Sequence, residues 1–149
     1  LNKGRAHGIE PVMAVISPQG LVGKTISVSE HFSLVLPIIH PKATFSIQVL
    51  DSYYFGLLKW DGGKPTHAKF TEIANHADVQ PGDTVITRES LTLPKGIPVG
   101  EIVSVQPIEG SNFLDVDIRL FVDFASLYHV QVVQNALKEE QIKLEQQVP

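Results

Sequence analysis

Gly20-Leu21-Val22-Gly23-Lys24-Thr25 ends like a phosphate-binding loop but sits in the surroundings of a turn between two β-strands. The two readings lead to different folds. A phosphate loop needs Gly-x-x-x-x-Gly-Lys-Ser/Thr between a strand and a helix. Gly23, Lys24 and Thr25 supply its end, but Pro18 holds the place of the first glycine. Proline has no N–H and a fixed φ, so it cannot open the backbone cradle. The helix whose first N–H groups would face the phosphates is also missing. Thr25-Ile26-Ser27-Val28-Ser29 alternates polar with β-branched apolar residues and reads as a strand. No second acidic strand for magnesium is evident, so nucleotide hydrolysis is set aside.

Short strands dominate the rest of the chain. A first series is expected at 12–16, 21–28, 32–39, 45–50, 54–60 and 68–73. Ser17-Pro18-Gln19-Gly20 forms a turn cluster, and Asp61-Gly62-Gly63 is a hairpin signal. A second series, opened by Pro81-Gly82-Asp83, is expected at 84–87, 99–105, 114–120 and 130–133, with a turn-rich connector at Leu93-Pro94-Lys95-Gly96-Ile97-Pro98. Leu114, Val116, Ile118 and Leu120 alternate with Asp115, Asp117 and Arg119, the mark of one buried and one wet sheet face. Residues 134–149 lack glycine and are rich in Glu, Gln, Lys and Leu, so they read as a short C-terminal helix.

The two series echo each other. Leu21-Val22-Gly23-Lys24-Thr25-Ile26-Ser27-Val28 matches Pro98-Val99-Gly100-Glu101-Ile102-Val103-Ser104-Val105. Gly23 and Gly100 then occupy corresponding corners, where a strand glycine marks a bulge or bend. Gly20, Gly82, Asp83 and Gly96 are structural turn positions. The expected fold is all-β: two small six-stranded β-barrels packed in tandem, plus the terminal helix. The first series offers about six strands and the second about four, against roughly six for a small closed barrel. The chain is therefore expected to start one barrel over 1–40, complete a second over 41–119, and return to the first over 120–133.

No constellation for catalysis emerges. The six histidines, His7, His31, His40, His67, His76 and His129, show no paired metal-ligand spacing, and the chain has no cysteine. No serine lies in a Gly-Asp-Ser-Gly type loop, and Gly110-Ser111-Asn112 reads as a hairpin tip. No cofactor motif is present. The net charge of −4 without a basic tract argues against nucleic acid. The longest apolar stretch, 32–39, falls short of the roughly 18 residues a membrane helix needs, so any membrane anchor is expected outside this sequence. Tyr53-Tyr54-Phe55 and Trp60 are the main aromatic concentration and the candidate contact residues for a protein partner. Alternation sends Tyr54 to one face and Tyr53 and Phe55 to the other.

These residues also carry a family resemblance. Lys3-Gly4, His7-Gly8-Ile9, Pro11-Val12-Met13-Ala14-Val15-Ile16 and Gly20-Leu21-Val22-Gly23-Lys24 resemble the opening of the extracytoplasmic domain of MreC, the bacterial rod-shape-determining family. Tyr54 to Gly62 resembles its middle segment. Val79-Gln80-Pro81-Gly82-Asp83-Thr84-Val85-Ile86-Thr87 and Pro94-Lys95-Gly96-Ile97-Pro98-Val99-Gly100 resemble its later signature. The loop Arg88-Glu89-Ser90-Leu91-Thr92-Leu93 departs from the family pattern by lacking glycine. The resemblance implies a non-enzymatic periplasmic scaffold of a single-pass inner-membrane protein. It also implies a class B penicillin-binding protein and MreD as partners, and self-association. The competing readings are a periplasmic adaptor or ligand-binding barrel, which needs a deep apolar pocket, and a hydrolase, which needs converging Ser, His and Asp.

Overall fold

The computed structural model describes residues 1–9, 12–90 and 93–133. The expected C-terminal helix, 134–149, lies outside them. Among the described residues, ten strands order as β1 (Ala14–Ser17), β2 (Gly20–Val28), β3 (Ser33–Pro37), β4 (Phe45–Val49), β5 (Phe55–Lys59), β6 (His67–Thr71), β7 (Thr84–Thr87), β8 (Pro98–Pro107), β9 (Leu114–Leu120) and β10 (Gln131–Val133). Every pairing between them is antiparallel.

Six of these strands close a barrel in the order β4-β5-β6-β9-β8-β7. The other four form a sheet in the order β10-β1-β2-β3 that does not close among the described residues. The expectation of two six-stranded barrels is corrected here. Strand supply is the physical reason: β4 to β9 make up the closed barrel, and among the described residues β1, β2, β3 and β10 remain for the other sheet. Four strands cannot bend far enough to meet edge to edge. The open sheet's inner face is covered by other means. Phe124 and Leu127 pack against its small cluster of Val15, Val22 and Val122. Leu1, Lys3, His7 and Ile9 line a cavity of about 320 Å³ together with Val130 and Val132.

The barrel interior is filled by side chains. Phe45, Phe70, Ile47, Leu58, Ile102 and Ile118 are each no more than 2% exposed. Ala14 and Leu21 of the open sheet join the same core, so the two sheets share packing. Trp60, at the start of the β5–β6 loop, donates its indole N–H to the Lys64 carbonyl at 2.9 Å, and Asp61 Oδ1 accepts from Gly63 N–H at 2.9 Å. Asp83 Oδ2 accepts from Gln80 N–H at 2.9 Å in the turn before β7.

The sequence echo is a structural one. On β2, Gly23 faces Val15 and Leu21 faces Ile16, leaving Val22 as the extra residue of a bulge. On β8, Gly100 faces Val85 and Pro98 faces Ile86, leaving Val99 extra. A second bulge follows four residues on in each strand, at Ile26 against β3 and at Val103 against β9. The β1–β2–β3 unit and the β7–β8–β9 unit therefore share both bulges. Each bulge sharpens local twist and bends the long strand. At the first of them the incoming chain passes very close: a Cβ on Gly23 would lie 2.2 Å from the Leu36 carbonyl oxygen, and one on Gly100 2.4 Å from that of Arg119.

Candidate functional site

The outer face of β5, β4 and β7 carries the best candidate contact surface. Cross-strand register sets Phe55 opposite Gln48 and Gln48 opposite Ile86. The β4–β5 connection is a tight turn in which Asp51 takes a left-handed φ of 60°. Ser52 N–H donates to the Val49 carbonyl at 3.2 Å, Tyr54 N–H to Ser52 Oγ at 3.0 Å, and Gln48 Nε2 to the Ser52 carbonyl at 3.2 Å. These bonds pin the tip and push Tyr53 into solvent, where it is 98% exposed. Leu50, Tyr53, Gln48, Ile86 and Lys95 line a groove of about 340 Å³. Phe55, half exposed, lies beside it with the Arg88 guanidinium 3.7 Å from its ring centroid.

The structure divides the four aromatics singled out in the sequence. Tyr53 and Phe55 are exposed. Tyr54 packs against the barrel core, and Trp60 sits at the far end of β5 with its N–H tied to its own loop. Leu50 and Arg88 belong to the surface and were not picked out by composition. The signal for Arg88 was its place at the start of the atypical 88–93 loop.

Lys24, the cation of the phosphate-loop resemblance, does not point freely into solvent. It is half-buried, with its ammonium 5.1 Å from the centroid of Phe45. Thr25, the other end of the phosphate-loop resemblance, is fully buried, and its Oγ1 accepts from Met13 N–H at 2.8 Å. Lys24→Ala should lower stability by about 0.5–1 kcal/mol through the lost cation–π contact, read as a shift in the urea midpoint. No change at all would mean the ammonium does not stay over the ring.

The wet face of β9 is an ion-pair ladder rather than an acidic site. Lys69 bridges Asp115 at 3.2 Å and Asp117 at 2.5 Å, Ser104 Oγ donates to Asp117 at 2.9 Å, and Arg119 pairs with Glu101 at 2.7 Å. The hydrogen bond from Lys69 holds the Asp117 carboxyl below its ordinary value, against partial desolvation, and the same bond raises the Lys69 ammonium above its own. The stabilisation is thus present at neutral pH and lost as pH falls through the carboxylate range. Asp117→Asn should cost less than about 1 kcal/mol at pH 7, since the pair is partly solvated, and nothing near pH 2. Urea midpoints at the two pH values test this, and an equal loss at both would assign the effect to shape instead.

Two histidines serve turns and a third opens β6. His7 Nδ1 accepts from Gly4 N–H at 3.1 Å and His40 Nδ1 from Lys42 N–H at 3.0 Å, while His67 Nδ1 lies 2.7 Å from Thr66 Oγ1. Among the described residues no group of three or more His, Cys, Asp or Glu could hold a metal ion, and no helix is long and apolar enough to cross a membrane.

Comparison with known proteins gives this surface a context. The family described as "Rod shape-determining protein MreC, barrel core" matches residues 1–134. The cell shape-determining protein MreC of Caulobacter vibrioides is 28% identical over 131 residues, covering 87% of this chain. The chain spans 36% of the length of that relative. Among solved structures, MreC from Pseudomonas aeruginosa superposes with a TM-score of 0.80 at 22% identity, covering 89% of this chain and 86% of that one. A complex between the penicillin-binding protein PBP2 and MreC from Helicobacter pylori contains a similar fold, with a TM-score of 0.65 at 19% identity, covering 83% of this chain and 79% of that one. With the family pattern running through almost all of the described residues, this chain belongs to the MreC family of rod shape-determining proteins.

Proposed function

We propose that this chain is the periplasmic contact module of a non-enzymatic scaffold that organises peptidoglycan synthesis during cell elongation. In this reading a single-pass membrane anchor lies outside the sequence. A class B penicillin-binding protein docks on the module, and MreD and further copies of the protein complete the assembly. The observation that carries it is the exposed Leu50, Tyr53 and Phe55 face, with its groove and the Arg88 stack. Aromatic and arginine side chains of this kind dominate binding energy at protein interfaces. The Helicobacter pylori complex supports the choice of partner.

A ligand-binding barrel is the weaker reading, because Phe45, Phe70 and their neighbours occupy the space where an interior ligand would sit. The test is capture of the periplasmic domain of the cognate class B penicillin-binding protein by this chain. Tyr53→Ala with Phe55→Ala should weaken binding at least about tenfold, since interface anchors of this size carry roughly 2 kcal/mol or more. Absence of binding by the unmutated chain at high concentration would count against a direct role for the module. Undiminished binding by the double variant would move the contact elsewhere.

A further inference from the structure

The connection between β7 and β8 contains the loop that departs from the family pattern, and it carries two cations, Arg88 at its start and Lys95 near its end. Both stand on backbone fixed to the barrel. Arg88 N–H donates to the Ser46 carbonyl at 3.0 Å, and Gly96 N–H, next to Lys95, donates to the Thr87 carbonyl at 3.1 Å. Thr87 Oγ1 donates to the Pro94 carbonyl at 2.6 Å and accepts from Ile97 N–H at 3.0 Å. Leu93, between them, is buried in the main core.

These bonds set a direction along the groove. Arg88 lies against Ser46, at one end of β4. At the other end Leu50 N–H donates to the Thr84 carbonyl at 2.9 Å. Ser46 to Leu50 spans about 13 Å at the rise of a strand. The Ser46 end is therefore cationic, with Arg88 and Lys95. The Leu50 end is apolar, with Leu50 and Tyr53, and its one charge is the Asp51 carboxylate.

The two cations lack what the other ladder has. Lys69 and Arg119 are paired with carboxylates, whereas neither Arg88 nor Lys95 is in an ion pair among the described residues. Phe55 occupies one face of the Arg88 guanidinium and leaves its N–H edges open. Those edges match a carboxylate with two parallel hydrogen bonds. Stacking also orders the guanidinium beforehand, which reduces the entropy lost on binding.

We propose that the groove reads a short acidic segment of the docking partner. An apolar side chain seats between Leu50 and Tyr53, and a carboxylate about four residues away along an extended chain pairs with Arg88 and Lys95. Asp51 repels that carboxylate from the wrong end, so the segment lies in one direction. The inference rests on the docking reading above. It adds the chemistry of the partner segment and a use for the atypical loop.

The probe is the periplasmic domain of the cognate class B penicillin-binding protein, titrated calorimetrically at low and high salt. Arg88→Gln with Lys95→Gln should weaken binding about tenfold at low salt and flatten its salt dependence. Lys59→Gln with Lys64→Gln removes the same charge from exposed positions outside the groove and should change affinity by less than about twofold. Arg88→Glu should be rescued by reversing one Asp or Glu of the partner to Lys. Arg88 and Lys95 are exposed, so their variants keep the fold, which circular dichroism checks independently. Equal losses in the two double variants would assign the effect to net charge and overturn the proposal. So would the absence of any rescuing partner carboxylate, or parent-like binding by the Arg88–Lys95 variant when Tyr53→Ala with Phe55→Ala binds weakly. No binding by the parent chain would overturn the docking reading itself, and the proposal with it.

Discussion

Gly100→Val and Gly23→Val are expected to destabilise the fold by about 3 kcal/mol or more, the upper range for forcing atoms into a packed site. That corresponds to a fall in Tm on the order of 10 °C for a chain of this size. The new Cβ would meet a backbone carbonyl oxygen at 2.4 Å in one case and 2.2 Å in the other. Neither carbonyl belongs to a flexible side chain, so relief requires parting β8 from β9 or β2 from β3. The higher strand propensity of valine, worth up to about 1 kcal/mol, works in the opposite direction and is too small to compensate. Gly62→Val is the informative control. Nothing lies within 4 Å of its Cβ, but its φ of 83° is left-handed, which costs a side-chain-bearing residue roughly 1–2 kcal/mol. Thermal melts of the three variants rank them directly. If Gly23→Val and Gly100→Val melt no lower than Gly62→Val, the close approaches are not what the two glycines provide.

Phe70→Ala should be the most damaging truncation of the barrel. The ring is 1% exposed and lies within the main core, close enough to Gly56 that a Cβ there would meet it at 2.8 Å. Removing a buried phenylalanine costs about 3–5 kcal/mol, against a total of about 5–15 kcal/mol for a domain of ordinary stability. Phe55→Ala on the outer face should cost only about 0.5–1 kcal/mol, the value of the Arg88 stack. The same pair should separate stability from binding, since Phe55→Ala weakens partner capture while Phe70→Ala acts through unfolding. Ala14 and Leu21 share the core with Phe70, so urea should unfold the variant and the parent in one transition that includes the open sheet. Two resolved transitions would show that the shared packing does not couple the sheets.

All ten observed strands fall on segments legible as strands in the sequence, because alternation and turn residues are local signals. The burial of Leu114, Val116, Ile118 and Leu120 against exposed Asp115 and Arg119 follows the alternation directly. The equivalence of Gly23 and Gly100 was legible too, as a short repeated string. Closure was not. Strand counting assigned 41–119 to the second barrel, but no local signal says whether the strands left over are enough to close the first, since closure depends on how many strands meet edge to edge. The candidate contact surface was half legible. Tyr53 and Phe55 stood out as aromatics, but only the turn at Asp51 shows that Tyr53 leaves the protein, and only the fold brings Arg88 onto Phe55. The surroundings of Lys24 are a tertiary matter too: Phe45 lies under its ammonium through packing, 21 residues away in sequence.

The sequence by itself determined an all-β chain with two long strands that share a repeated string around Gly23 and Gly100. Pro18 and a β-branched run at 25–29 rule out a phosphate loop by backbone chemistry alone. Tertiary structure decided which sheet closes. Six strands can curve until their edges meet, whereas the four of the other sheet do not meet among the described residues. It also decided what the echo means. In the same bulged frame, Asp117 opposite Ser104 meets Lys69 of β6, whereas Leu34 opposite Ser27 is exposed, because cross-strand neighbours set the side chain that a position requires.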